Sequence, residues 1–119
     1  MKKVLIIDDN VSITKMLTKW LTAKGHEVTV SNDGKNGLTM ILNNKFDMVL
    51  LDLSMPEFTG YDVIDELEKS GKLKEEKIVI FTASTAADSD IDELIERGVH
   101  SCLRKPVQLD VLKATVEAE

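Results

Sequence analysis

The 119-residue chain has one cysteine, no long apolar run and fewer basic than acidic residues. A lone cysteine cannot form an internal disulfide, which excludes a disulfide-stapled secreted scaffold and fits a reducing compartment, the cytoplasm. The apolar stretch "VLII" (4–7) is far too short for the core of a secretory signal, and two aspartates end it. Nothing approaches the run of about 20 apolar residues that a membrane-spanning helix needs, so no membrane association is expected. Fifteen Lys and Arg against 21 Asp and Glu leave a formal net charge of −6. That balance argues against direct contact with nucleic acid or an anionic lipid surface. No low-complexity stretch or linker interrupts the chain, and its end, "KATVEAE", shows no hinge toward a second unit. Length and composition (43% hydrophobic, 30% charged) suit one globular domain over 1–119.

What the chain does contain is an alternation of two periodicities. "KVLIID" (3–8), "DMVLLD" (47–52) and "KIVIFT" (77–82) are continuous apolar runs, as strands buried on both faces are. "EVTVS" (27–31) alternates and "HSCLR" (100–104) is mixed, which marks edge strands. Amphipathic segments lie between them. Ile13, Met16, Leu17, Trp20 and Leu21 trace a helical stripe that Gly25 stops. Leu38, Ile41 and Leu42 mark a second helix, and Val63, Ile64 and Leu67 a third that closes near Gly71. Ile91, Leu94 and Ile95 mark a fourth before Gly98, and Leu109, Leu112 and Val116 a fifth. The pattern predicts an α/β fold, (βα) repeated five times. Strands joined through helices must run parallel, with right-handed crossovers that cover both faces of a doubly wound sheet. Three buried strands flanked by two edge strands fit the order 2-1-3-4-5.

That topology decides where chemistry can occur. In open α/β sheets ligands bind outside the carboxyl ends of the strands, where the strand order reverses. Asp8 and Asp9 end the first strand and Asp52 ends the third, so three carboxylates converge there. Close carboxylates repel, and they must either share protons or attract a cation. An all-oxygen, partly hydrated site favours Mg²⁺. A single such aspartate would read as a solvated loop residue or a helix cap, but three at one crevice would not. The fourth strand brings the hydroxyl of Thr82 to the same edge, and the fifth brings Lys105. A metal-neutralised carboxylate, a hydroxyl and a lysine together can cradle a transferring phosphoryl group. A cis bond before Pro106 could aim Lys105 into the site.

The set Asp8–Asp9, Asp52, Thr82 and Lys105–Pro106, with Met55, Pro56 and Gly60 in "DLSMPEFTG", resembles the CheY-like receiver domain of two-component response regulators. The resemblance spans essentially the whole chain and implies the flavodoxin-like form of the doubly wound sheet. It implies that Asp52 accepts a phosphoryl group from a phosphohistidine of a sensor histidine kinase or phosphotransfer protein. It further implies that Asp9, Asp52 and the backbone carbonyl of Ser54 hold Mg²⁺, with Asp8 assisting. Thr82 and Lys105 would engage the phosphoryl group, and the surface of helix 4, strand 5 and helix 5 would control a protein target or output domain. Such a domain is not a turnover enzyme; it promotes only its own phosphorylation and dephosphorylation. Ser54 and Ser84 resemble the positions that tune phosphate lifetime. The family often carries Phe or Tyr three residues before the lysine as the rotating partner of the threonine, where this chain has Cys102.

Two other chemistries fit less well. A phosphatase of the haloacid dehalogenase type wants a second aspartate two residues after the nucleophile, and Ser54 stands there. A flavodoxin-like nucleotide binder wants a glycine- or hydroxyl-rich loop after the first strand, where "DDNVS" would repel phosphate. A receiver acting only as a binding module would be expected to have lost Asp52, Lys105 or an acidic partner, and all are present. Cys102 reads otherwise as a small buried hydrophobe. His26 and His100 fall at strand starts, away from the crevice, as structural or solvated residues. Met16 and Trp20 belong to the core stripe, and "ADSDIDELIE" reads as a solvated helix face.

Overall fold

The three continuous apolar runs form the centre of the sheet. In the computed structural model, which describes residues 1–83, 86–106 and 108–118, β1 (Lys3–Ile7), β3 (Met48–Asp52) and β4 (Ile78–Ala83) lie side by side. The alternating segment, β2 (Glu27–Ser31), borders β1, and the mixed one, β5 (Ser101–Lys105), borders β4. All pairings are parallel and the order is β2-β1-β3-β4-β5, the doubly wound order with which the pattern of buried and edge runs is compatible.

Five helices connect the strands: α1 (Val11–Ala23), α2 (Gly34–Asn43), α3 (Gly60–Lys69), α4 (Asp88–Arg97) and α5 (Leu109–Glu117). Their starts are chemically marked. The Asn10 side chain accepts the Ile13 N–H (3.1 Å) to cap α1, and Asp33 accepts that of Asn36 (2.7 Å) to cap α2. Thr59 and Asp62 form a reciprocal capping box at α3. Gly98 ends α4 at φ 135°, a conformation that a side chain would strain. A short 3₁₀ turn at Leu73–Glu75, which has no counterpart in the periodicity, bridges α3 and β4.

Strand alternation divides the core in two. Val4, Ile6, Leu50 and Phe81 pack under α1 and α5 through Leu17, Leu21, Leu112 and Val116. Leu5, Ile7, Leu51 and Ile80 pack under α2, α3 and α4 through Ile41, Ile64, Leu67 and Leu94. Three stripe residues lie outside this core. Met16, Leu42 and Ile95 are exposed, while Thr14 is buried instead. The buried positions of α1 are 14, 17 and 21, a narrower stripe than the run of apolar residues, so Met16 falls off its edge. Ile95 and Leu42 likewise sit one position beyond buried Leu94 and Ile41.

The amino-terminal rim of the sheet is tied to the end of α5. Lys77 donates to the carbonyls of Thr115 (2.5 Å) and Ala118 (2.8 Å). His26 is buried there, its Nδ1 accepting the Lys2 N–H (3.1 Å) and its Nε2 lying 3.4 Å from Glu117. His100 is exposed and contacts Ser101. Both histidines are thus remote from the opposite, carboxyl rim, which belongs to the carboxylates.

Candidate functional site

The carboxyl rim is built from strand ends. Asp8 follows the last residue of β1 and Asp52 is the last residue of β3; both are buried, while Asp9 is exposed. One oxygen each of Asp8, Asp9 and Asp52 lies within 4.8 Å of the other two. Backbone and side-chain donors orient this group. Asp8 Oδ1 accepts the Asn10 N–H (2.9 Å), and the Asn32 amide donates to the Asp8 carbonyl (2.8 Å) from the end of β2. Asp52 Oδ1 accepts the Ser54 N–H (3.1 Å).

Lys105 supplies the positive charge. Its Nζ lies 3.2 Å from Asp8 Oδ2 and 3.7 Å from Asp52 Oδ2, and 4.9 Å from the centre of the Phe81 ring. The Lys105–Pro106 bond is cis, as the sequence suggested. The ammonium does not neutralise the site fully. Asp8 Oδ2 is buried without a hydrogen-bond partner among the described residues and meets Lys105 as an ion pair. Burial pushes the Asp52 carboxyl up to about 6, and the Asp8 charge adds to the rise, against the Ser54 N–H and Lys105. Three clustered carboxylates, one of them with a buried oxygen that accepts no hydrogen bond among the described residues, are a donor set that suits a small hard cation such as Mg²⁺.

Thr82 is buried in β4, paired with Arg104 of β5, and Ala83 rather than Thr82 closes the strand. Ser54 is exposed in the loop after β3, and Ser84 lies outside the described residues. Cys102 is half-buried, paired with Ile80 and packed on the α4 side of the core, and burial pushes its thiol up. The structure therefore brings Asp8, Asp9, Asp52 and Lys105 together, while Cys102 stands one layer back.

Two contributors, Asn32 and Arg104, escape a motif reading, while the motif's Gly60 has a reason that only the packing shows. Asn32 holds the Asp8 carbonyl, and nothing in its local pattern sets it apart from a loop asparagine. Gly60 starts α3 against the loop that follows β3, where a Cβ would lie 2.4 Å from the Asp52 carbonyl oxygen and 2.7 Å from Leu53 Cα. Arg104 donates to the Ala86 carbonyl (2.7 Å) and to Asp88 (2.6 Å) in the first turn of α4. Strand alternation was the available signal, because it turns residue 104 away from Lys105 and toward α4.

This arrangement has relatives. A model of the response regulator receiver domain matches residues 4–117. The sensor histidine kinase RcsC of Salmonella typhimurium is 34% identical over 95% of this chain, which spans 12% of that protein. The transcriptional regulatory protein CpxR homolog of Haemophilus influenzae is 32% identical over 99% of this chain, which spans 50% of that protein. The chain thus spans half or less of these curated relatives. Among solved structures, the receiver domain of the Francisella response regulator 1452 superposes with a TM-score of 0.88 at 28% identity, covering 98% of this chain and 93% of that one. The response regulator TrrA of Thermotoga maritima, in complex with Mg²⁺-BeF, superposes with a TM-score of 0.83 at 29% identity, covering 98% and 97%.

Proposed function

The chain belongs to the response regulator receiver domain family, and on that premise we propose that Asp52 is its phosphoacceptor in a Mg²⁺-dependent phosphorelay. The observation that carries the reading is the position of Asp52: a buried carboxylate at the end of β3, with Asp8 and Lys105 on one side and the Ser54 N–H on the other. The family uses Mg²⁺, and here Asp8, Asp9, Asp52 and the carbonyl of Ser54 would hold it. When bound, Mg²⁺ would offset the carboxylate charge that otherwise repels an anionic donor.

The residues then divide the work. An Asp52 oxygen attacks the phosphorus of a phosphohistidine, the P–N bond breaks, and an acyl phosphate forms. Lys105 moves its charge from the carboxylates to the phosphoryl oxygens, and the Thr82 hydroxyl donates to another. The domain acts on itself alone, promoting its own phosphorylation and hydrolysis, with exposed Ser54 leaving water a path to Asp52. The donor is a sensor histidine kinase or phosphotransfer protein, consistent with the kinase and regulator relatives. The readout is the surface of α4, β5 and α5, which would bind a protein target or output domain. The acidic chain is not expected to contact nucleic acid itself. Among the described residues no helix is long and apolar enough to cross a membrane, and a cytoplasmic site of action fits the kinase chemistry.

Intact mass after incubation with Mg²⁺ and acetyl phosphate tests the reading. A gain of one phosphoryl group, lost with chelator and in Asp52→Asn, is the expected result. Undiminished labelling of Asp52→Asn overturns the assignment.

A further inference from the structure

Asp8 is held at three points. Its N–H donates to the Ser31 carbonyl at the end of β2 (3.1 Å), and its Oδ1 accepts the Asn10 N–H just before α1 (2.9 Å). The third hold is the Asn32 amide, which donates to the Asp8 carbonyl (2.8 Å). The first two partners are backbone groups, so the third hold is the one that a side chain supplies. Asn32 itself sits in a braced junction. The Ser31 hydroxyl beside it donates to the Asp33 carbonyl (2.8 Å) and accepts the Asn36 amide (3.1 Å), and Asp33 caps α2. With its N–H, carbonyl and Oδ1 engaged, Asp8 keeps Oδ2 for the crevice, 3.2 Å from Lys105 Nζ.

We propose that Asn32 is a positioning residue for the metal ligands: by fixing the Asp8 carbonyl it sets the direction of both Asp8 and Asp9, and with it the affinity for Mg²⁺. The inference rests on the Mg²⁺ reading above. The peptide unit is planar, so holding the Asp8 oxygen on one side fixes the Asp9 N–H and Cα on the other. Asp9 is exposed, so packing does little to aim its carboxylate and the backbone must do so. Oxygens of Asp8, Asp9 and Asp52 lie within 4.8 Å of one another, where like charges repel. A restraint on the chain at Asp8 opposes that repulsion before any cation arrives. Without it the Asp8–Asp9 segment relaxes outward, and a cation must draw the carboxylates back. Mg²⁺ demands near-octahedral geometry at short distances, whereas Ca²⁺ accepts longer and more variable ones. Loss of the Asn32 amide must therefore cost Mg²⁺ more than Ca²⁺.

The test is calorimetric titration of the whole chain with Mg²⁺ and, separately, with Ca²⁺. Asn32→Ala, a change at an exposed position, is expected to bind Mg²⁺ about fivefold more weakly than wild type, the fold-change that a hydrogen bond of average net strength represents. Its Ca²⁺ affinity should fall by less than about twofold, the smaller penalty of an ion with flexible coordination. Asn32→Gln, which keeps the amide on a longer stem, should lie between Asn32→Ala and wild type for Mg²⁺. The Asn32 amide also lies 3.4 Å from the Thr14 hydroxyl, so Thr14→Val is the control and should bind Mg²⁺ as wild type does. A merely structural role would lower the melting temperature equally with and without Mg²⁺ and leave the affinity alone. Wild-type Mg²⁺ affinity in Asn32→Ala, an equal loss for both ions, or an equal loss in Thr14→Val overturns the proposal. If Asn32→Ala does not fold, Asn32→Gln decides by the same comparison. Failure of wild type to bind Mg²⁺, or binding that Asp9→Ala leaves unchanged, would instead count against the acidic cluster as the metal site, and with it this inference.

Discussion

The Lys105 ammonium lies nearer to Asp8 (3.2 Å) than to Asp52 (3.7 Å). It therefore serves as the resting counter-charge of the carboxylate cluster and competes with any cation that enters. Lys105→Ala should bind Mg²⁺ no more weakly than wild type, and about threefold more tightly, the value of a partly exposed ion pair. The same variant should respond poorly to beryllofluoride, since it lacks the group that meets the phosphoryl charge. Calorimetry with Mg²⁺ alone, then with beryllofluoride, separates the two effects. A large loss of Mg²⁺ affinity would place Lys105 in the metal site instead.

The raised Asp52 carboxyl makes a signed statement about stability. Its folded value of about 6 lies above the ordinary 3.8, so the folded protein binds the proton more tightly than the unfolded chain. The stabilisation this gives is full below the unfolded value and is lost as pH rises through the folded one. At pH 7.5 the buried carboxylate therefore costs stability, on the order of 2 kcal/mol. Without metal, Asp52→Asn should melt higher than wild type at that pH. The gap should narrow toward pH 5, and again when Mg²⁺ is added to wild type. Equal melting of the two proteins at pH 7.5 would show that the burial cost is offset elsewhere.

Much of this site is legible in the sequence because strand ends announce themselves. The runs before Asp8, Asp52 and Thr82 are continuous and apolar, and the sheet order then brings those residues to one rim. The order of β2 and β5 at the edges follows from their mixed patterning. What is not legible arises from contacts between elements distant in sequence. Asn32 and Arg104 matter through bonds to backbone carbonyls at positions 8 and 86, which no motif encodes. Met16, Leu42 and Ile95 are apolar yet exposed, because helix rotation against the sheet is set by packing rather than by periodicity alone.

Gly60 tests how tightly α3 is set against the site. An added Cβ would meet backbone atoms, the Asp52 oxygen at 2.4 Å and Leu53 Cα at 2.7 Å, which cannot swing aside as a side chain can. Gly60→Ala should lower stability by about 3 kcal/mol and weaken Mg²⁺ binding by displacing Asp52. Urea denaturation with and without Mg²⁺ measures both. A loss below about 1 kcal/mol would mean that the loop accommodates the methyl group, contrary to the close contact.

Asp9 differs from its neighbours in being exposed, so it can be removed without leaving a cavity or an orphaned charge. Asp9→Ala should keep wild-type thermal stability within about 0.5 kcal/mol while weakening Mg²⁺ binding more than any single change outside the cluster. Preserved Mg²⁺ affinity would remove Asp9 from the ligand set. A collapse of stability would mean that it anchors the start of α1, a task the structure gives to Asn10 and Asp8.

Cys102 occupies the place where receivers often carry an aromatic ring, and its surroundings bear on how the switch operates. It is half-buried across from Ile80 and packs, like Ala86, on the α2–α4 side of the core. A side chain this small changes little buried area if the loop moves, so its packing distinguishes the resting and phosphorylated states weakly. Cys102→Ala should therefore change beryllofluoride affinity by less than about twofold, the equivalent of a few tenths of a kcal/mol. Amide shifts on adding beryllofluoride should still extend from the crevice through 86–105 in the cysteine variant. If Cys102→Ala shifts the affinity by much more than that, the thiol's packing is itself part of the switch. If the distant shifts vanish, Cys102 is what transmits the signal to α4.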